Sequence, residues 1–347
     1  MKKISTIGLD LAKRVFQVHG IDDQGQLIVQ KQLQRSEMIA WFSKLAPCLI
    51  GVEACATSHY WARELGKLGH EVKLIPPAYV KPYVRRQKND RADAAAICEA
   101  VGRPSMRYAS TKTIDQQAAQ VLHRTRELLV RQHLQMANAL RAHLAEFGWI
   151  FPQGRLGLSQ AIQILQQIPE TEMPDLAQIT LLGIAEQLGL LKDEILRLDK
   201  QITLWHRAHK ESQRLATIPG IGPVTATAIL AAIGKGTQFK SGREFAAWIG
   251  LVPRQNSSGG KERLGGISKQ GNPYLRRLLV QGAIIHLRGK RYEKAVGGVW
   301  FEKLLHRKSA KVAAVALANK MARVAWAVLT KEQSYQRNTQ EPLALAA

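Results

Sequence analysis

Cysteine is scarce in this chain of 347 residues: Cys48, Cys55 and Cys98 are the only three. An odd, scattered set without a Cys-x-x-Cys pair excludes a disulfide framework and a zinc ribbon. Acidic side chains are short as well, 27 Asp and Glu against 50 Lys and Arg, which leaves a formal net charge of +23. A polyanion is therefore the first partner to expect. Aromatic residues make up 6% of the chain; Trp300 and Trp326 read as packing residues, and Tyr60, Tyr79 and Tyr83 as packing residues or, alternatively, stacking surfaces for bases or sugars. Residues 1–10 lack the charged, apolar and small-residue pattern of a secretory leader. The longest apolar-rich stretch, residues 312–329, is interrupted by Asn319, Lys320 and Arg323, so a cytoplasmic protein with no membrane partner is expected. No internal repeat is visible. The hydrophobic fraction of 46% excludes a disordered basic tail, and at roughly 150 residues per domain the length suits two or three domains.

The basic excess is local. Residues 1–110 carry a net +7, residues 111–210 a net +1 and residues 211–347 a net +15. The two outer segments are candidates to touch phosphate, and the near-neutral middle is a candidate spacer or oligomerisation element. In the first segment, residues 4–9, 15–21 and 26–32 read as strands, the last two joined by the turn Asp22-Asp23-Gln24-Gly25. A helix, a strand at 48–52, a helix at 58–68, a strand at 71–75 and a helical run ending at 88–101 follow. That order predicts a ribonuclease-H-like α/β sheet. The middle is read as two long helices, 115–147 and 177–208, spaced as a coiled coil or antiparallel pair, with a loop at 148–174 between them. The third segment is mainly helical, and residues 331–347 are expected as a flexible tail. The expected architecture is thus α/β plus α, with domains at 1–110, 111–210 and 211–330.

Asp10 and Glu53 each end an apolar strand, the point at which strands of an open α/β sheet face the functional crevice. Asp90 and Asp93 open a helical run at a spacing that puts both on one face. Each alone is also what a turn or a helix cap looks like. Together, four hard carboxylates suit Mg²⁺, with Mn²⁺ as a substitute, in phosphoryl transfer. Lys88 and Arg91 flank the Asp pair as candidate phosphate contacts.

In the third segment, Ile218-Pro219-Gly220-Ile221-Gly222-Pro223 reads as a helix-hairpin-helix turn whose Gly220 and Gly222 would let backbone N–H groups approach a phosphate. The same residues also make an ordinary corner between two helices. Further on, Arg254-Gln255-Asn256-Ser257-Ser258-Gly259-Gly260-Lys261 is followed by Arg263, Lys269, Arg276 and Arg277. By composition Ser-Ser-Gly-Gly is a flexible loop. A serine there becomes a nucleophile only with help from a base, a metal or a positive field, and no His lies within the loop.

Ile7-Gly8-Leu9-Asp10-Leu11-Ala12-Lys13, the Glu53-Ala54 step and Lys88-Asn89-Asp90-Arg91-Ala92-Asp93-Ala94 resemble the acidic tetrad of the DEDD transposases of the insertion-sequence-one-ten group. Phe245-Ala246-Ala247-Trp248, Gly250-Leu251-Val252-Pro253-Arg254, Ser258-Gly259 and Gly271-Asn272-Pro273-Tyr274-Leu275-Arg276-Arg277 are similar to that family's C-terminal transposase domain. The resemblance covers nearly the whole chain. It implies a RuvC-like N-terminal domain with Asp10, Glu53, Asp90 and Asp93 as catalytic metal ligands, and Ser258 as the catalytic nucleophile with Ser257 one residue away. It further implies a covalent 5′-phosphoserine intermediate, donor and target duplex DNA as substrates, and a structured non-coding guide RNA. A homodimer or tetramer assembled through residues 115–208 follows as an expectation. Two other functions fit the residues: a Mg²⁺-dependent junction endonuclease in which Ser258 is only loop, and a non-enzymatic nucleic-acid-binding protein whose acids are caps.

Overall fold

A computed structural model describes residues 3–84, 89–169, 171–289 and 292–336. The chain divides into two compact units, one ending at Thr113 and one beginning at Ile114.

The first unit runs β1 (Thr6–Leu11), β2 (Val15–Ile21), β3 (Leu27–Gln34), α1 (Met38–Phe42), β4 (Leu49–Glu53), α2 (Ser58–Lys67), β5 (Glu71–Ile75), α3 (Pro77–Val80) and α4 (Asp90–Val101). Its five strands form one sheet in the order β3-β2-β1-β4-β5. The first three strands are antiparallel, while β1, β4 and β5 run parallel, which is the mixed α/β arrangement expected. Alternation assigns the two faces. Ile7, Leu9, Phe16, Val18, Ile50 and Val52 bury one face against Met38, Phe42, Trp61 and Leu65 of α1 and α2. The intervening residues Gly8, Asp10 and Gly51 face α4. A Cβ on Gly8 would overlap the Ala94 carbonyl and Cys98, and one on Gly51 would run into Val101. The two glycines let α4 lie directly on the sheet.

The second unit contains α5 (Ile114–Glu146), α6 (Arg155–Leu165), α7 (Asp175–Ala208), α8 (Lys210–Ala216), α9 (Pro223–Ile233) and α10 (Gly242–Ile249). A two-stranded hairpin of β6 (Pro253–Gln255) and β7 (Leu264–Ile267) comes next, then α11 (Pro273–Arg288), α12 (Gly298–Leu305) and α13 (Ala310–Thr330). The long helices α5 and α7 are antiparallel: Trp205 Nε1 donates to Asp115 at one end, Arg126 forks onto Asp199, and Leu140 and Leu144 pack with Leu181 and Leu188 at the other. The stretch 148–174, read from its prolines and glycines as loop, contains α6. Its apolar side Gly157, Ala161 and Leu165 is buried on the helix pair, and this packing outweighs the Pro152 and Gly154 signals. Among the described residues one helix, Ala310–Thr330, is long and apolar enough to cross a membrane. Its Ala313, Ala314, Leu317, Ala318, Met321, Ala322 and Ala325 are fully buried as the central helix of this unit. The expected tail lies outside the described residues from 337 onward; before it, Tyr335 N–H donates to Thr217 Oγ1.

A polar chain crosses the same unit. The Thr227 hydroxyl donates to the Pro223 carbonyl at 2.7 Å, so His123 Nε2–H donates to Thr227 at 2.9 Å. His123 Nδ1 is then left to accept from Tyr274 Oη–H at 3.0 Å. This arrangement requires a neutral ring, and burial first, then the nearby Arg126, pushes the His123 pKa down to about 4. Below about 6.5 the unfolded chain takes up a proton that the folded ring refuses, so stability falls as pH drops toward 4 and then levels. The loss amounts to roughly 3 kcal/mol over that window. Thermal melts of the full chain across pH 7 to 4 are expected to show this slope, and His123→Gln to flatten it; parallel curves for the two proteins would contradict the assignment.

The close approach of α4 gives a second test. Gly8→Ala forces helix and sheet apart and is expected to cost about 1–3 kcal/mol by overpacking, read as a lowered melting temperature. A variant as stable as the parent would show that α4 does not sit on Gly8.

Candidate functional site

Asp10 lies near the end of β1 and Glu53 ends the neighbouring parallel strand β4, one step past the Leu9–Val52 pair. Asp90 and Asp93 occupy the first turn of α4, whose N-cap Asn89 accepts from Arg91 N–H and Ala92 N–H through its side-chain oxygen. Acids at this end meet the positive pole of the helix dipole. With α4 resting on Gly8, its first turn is brought over Asp10. One ligand oxygen from each of Asp10, Asp90 and Asp93 lies within 4.8 Å of the others. Glu53 is not in that group, yet its charge reaches Asp10. The fold therefore gathers three of the four predicted acids tightly and brings the fourth within electrostatic reach.

The donor set fits a divalent cation. Oxygens bound to one Mg²⁺ at ~2.1 Å can be no more than about 4.2 Å apart, these three lie within 4.8 Å of one another, and carboxylates are the hard ligands such an ion takes. Asp10 reports the same fit electrostatically. Burial, and then the charges of Asp93, Asp90 and Glu53, raise its pKa to about 6. A cation at the cluster would remove the repulsion that produces this shift.

The second candidate element is the hairpin of β6 and β7. Ser258 and Lys261 form an isolated bridge at its tip, with Gly259 and Gly260 both at positive φ. Ser257 Oγ accepts from Arg263 N–H at 3.1 Å, which closes the tip. Ser258 is exposed, and its hydroxyl has no hydrogen bond among the described residues. The base of the hairpin is clasped: Cβ atoms on Gly250 and Gly271 would strike the Gln270 and Trp248 carbonyls respectively.

The predicted phosphate contacts divide into two sets. Arg276 donates to the carbonyls of Ile249 and Gln270 at 2.7 and 2.9 Å and braces the hairpin base. Arg277 pairs with Glu127 at 2.8 Å and lies over the Tyr274 ring. Lys261 and Arg263 near the tip and Arg254 and Lys269 toward the base are exposed, and among the described residues none forms an ion pair. Arg91 is exposed beside the acids, whereas Lys88 lies outside the described residues. Gly220, at φ +87, abuts Gly282 of α11 and Met321, so its missing side chain makes room for helix packing. Gly222 is the extended N-cap of α9 with open space around it.

A family model described as Transposase IS116/IS110/IS902 family matches residues 212–296, and one described as a DEDD-type transposase matches residues 7–148. A probable family 20 transposase of Pseudomonas aeruginosa is 46% identical over 96% of this chain and 99% of its own length. The chain belongs to the IS110/IS116 family of DEDD transposases. It is accordingly an enzyme acting on DNA. The transposase of insertion sequence IS1328 from Yersinia enterocolitica is 40% identical over 95% of this chain and 98% of its own. A pilin gene-inverting protein of Moraxella bovis is 32% identical over 43% of this chain and 47% of its own.

Sequence reasoning passed over one residue beside the acids. Gln17 of β2 is paired with Asp10 across the ladder and is 6% exposed. Only strand register reveals it, because nothing in its local sequence marks it.

The raised Asp10 pKa has a stability consequence. A carboxyl that prefers its proton in the folded state contributes stability below about 3.8 that is lost as pH rises through about 6. At neutral pH the cation-free protein carries that penalty. Asp10→Asn removes it and is expected to melt a few degrees higher than the parent in chelator, while losing the stabilisation that added Mn²⁺ gives the parent. Equal melting temperatures in chelator, or equal stabilisation by Mn²⁺, would contradict the cluster's role.

Proposed function

We propose that this enzyme is an RNA-guided transposase of an insertion sequence that cuts and rejoins DNA through a serine nucleophile. Asp10, Glu53, Asp90 and Asp93 hold Mg²⁺, or Mn²⁺ in its place, and Ser258 attacks the phosphodiester. When bound, the cation supplies positive charge that offsets the developing charge on the phosphate. The Ser258 Oγ–P bond forms as the P–O3′ bond breaks, and the serine proton ends on the released 3′ oxygen. A 3′-hydroxyl from another strand reverses the step, so a new phosphodiester forms, serine regains its proton and no water is consumed.

The observation that carries the serine assignment is the division of labour at the hairpin tip. Ser257 spends its hydroxyl closing the turn, and Ser258 keeps an exposed, unbonded one among unpaired cations. Arg254, Lys261, Arg263 and Lys269 would lower the cost of alkoxide formation and grip phosphate. Arg91 and Lys88 would do the latter beside the acids, with Gly220, Gly222, Arg276 and Arg277 contributing through the backbone and helix starts they fix. Inversion of a gene, the activity named for the Moraxella relative, likewise needs cutting and rejoining. The guide RNA follows from the family resemblance, and base pairing by that RNA would supply the sequence recognition that backbone contacts lack.

Self-association through the antiparallel helix pair is supported by apolar side chains left in solvent. Ile114, Val121 and Leu128 of α5, at seven-residue intervals, are 71%, 63% and 41% exposed. Leu176, Ile179, Leu190 and Leu204 of α7 are exposed as well. A seven-residue apolar repeat is the pattern of helix-on-helix assembly.

Denaturing gels of reactions with end-labelled element DNA test the chemistry. Protein joined to a DNA 5′ end is expected with the parent and lost with Ser258→Ala. Cleavage that persists in Ser258→Ala without any trapped adduct would favour the junction-endonuclease reading.

A further inference from the structure

The carboxylates themselves can only repel a phosphodiester. Asp10, Asp90, Asp93 and Glu53 are acceptors and negative, and Arg91 shares the first turn of α4 with the Asp pair. A strand oxygen arriving there needs a donor as well as a cation. Gln17 is positioned to be that donor. It lies directly opposite Asp10 in the β1–β2 register, where paired Cα atoms are about 4.5–5.5 Å apart. Its neighbours Phe16 and Val18 belong to the core on the other face of the sheet, so alternation puts Gln17 on the Asp10 side, facing α4.

Its environment is unusual for an amide. Gln17 is 94% buried, and among the described residues its side chain forms no hydrogen bond, not even to the carboxylates beside it. Unlike His19 Nδ1, its amide atoms are not sealed from solvent, so an unused donor remains reachable on the Asp10 side of the sheet. The next residue on the same face, His19, is paired with Gly8, and its Nδ1 is buried without a partner. Gln17 and His19, successive residues on this face, thus carry hydrogen-bonding groups that no other described side chain uses.

We propose that Gln17 binds substrate, its amide N–H donating to a nonbridging oxygen of the DNA phosphodiester held at the carboxylates. The residue type follows from the charge around it. A lysine there would pair with Asp10 and compete with the cation. A fifth carboxylate would add to the repulsion that already acts on Asp10. An amide adds two donors and no charge. This inference rests on the carboxylate reading above.

Gln17→Met in the full-length chain separates a substrate contact from a structural one. The reporter is a cell carrying the insertion element with both ends, and excision is counted by quantitative amplification of the joined product. Excision is expected to fall about 10–100-fold, the loss of one hydrogen bond to a charged group. The purified, nucleic-acid-free variant is expected to melt at the parent temperature, because the amide makes no bond within the chain, and to keep the parent's stabilisation by Mn²⁺. Parental excision overturns the assignment. A lowered melting temperature overturns it in favour of a packing role, and lost Mn²⁺ stabilisation overturns it in favour of a metal ligand. Asp10→Asn is the control: if that variant excises normally the carboxylate reading falls, whereas normal excision by Gln17→Met alone removes only Gln17.

Discussion

Acids held close together repel, and the first unit is arranged to keep them together regardless. The device is steric. Gly8 and Gly51 leave the sheet flat enough for α4 to lie directly on it, and the first turn of that helix carries Asp90 and Asp93 to Asp10. The cost appears in Asp10, whose proton is held up to about pH 6 by burial and by its three acidic neighbours. Part of the core's packing energy is thus committed to holding a charge arrangement that a cation, or protonation of Asp10, relieves. Precise placement and electrostatic discomfort have the same origin here.

The second unit solves the opposite problem, because its excess charge is positive. Some cations are absorbed into the scaffold: Arg276 ties α11 to the base of the serine hairpin, and Arg277 is neutralised by Glu127. Others lie along the hairpin that carries Ser258 and form no ion pair among the described residues, which maintains the positive field a polyanion would meet. The hairpin tip itself is held by backbone and by Ser257, so the neighbouring hydroxyl is left without a structural task. The buried chain from Tyr274 through His123 to Thr227 then ties α11, on which that hairpin is braced, to α5 and α9.

Residues with strong local signatures were legible from the chain alone. Strand ends at Asp10 and Glu53, the Asp90 and Asp93 pair opening a helical run, and the glycine-rich serine stretch all declared themselves through spacing and residue type. Signals that serve two purposes were less decisive. Gly220 has the spacing of a phosphate-approach turn, and what it meets in the fold is the backbone of Gly282. Pro152 and Gly154 look like loop punctuation, yet α6 starts immediately after them, because its apolar side has the α5–α7 pair to pack on. Arg276 and Arg277 read alike as phosphate contacts, and only their partners, 27 and 150 positions away in sequence, set them in a structural role.

By itself the sequence determined the chemistry available: hard acids near strand ends and in one helix turn, a serine among glycines and cations, and a charge balance that calls for a polyanion. These depend on residue identity and short spacing, which a chain carries whether or not it is folded. Tertiary structure decided which of those groups meet, which cations remain free, and that an unremarked glutamine stands beside the acids. Such facts depend on contacts between residues far apart in sequence, fixed by strand register and by the depth to which a helix can settle on a sheet, and no local pattern encodes either.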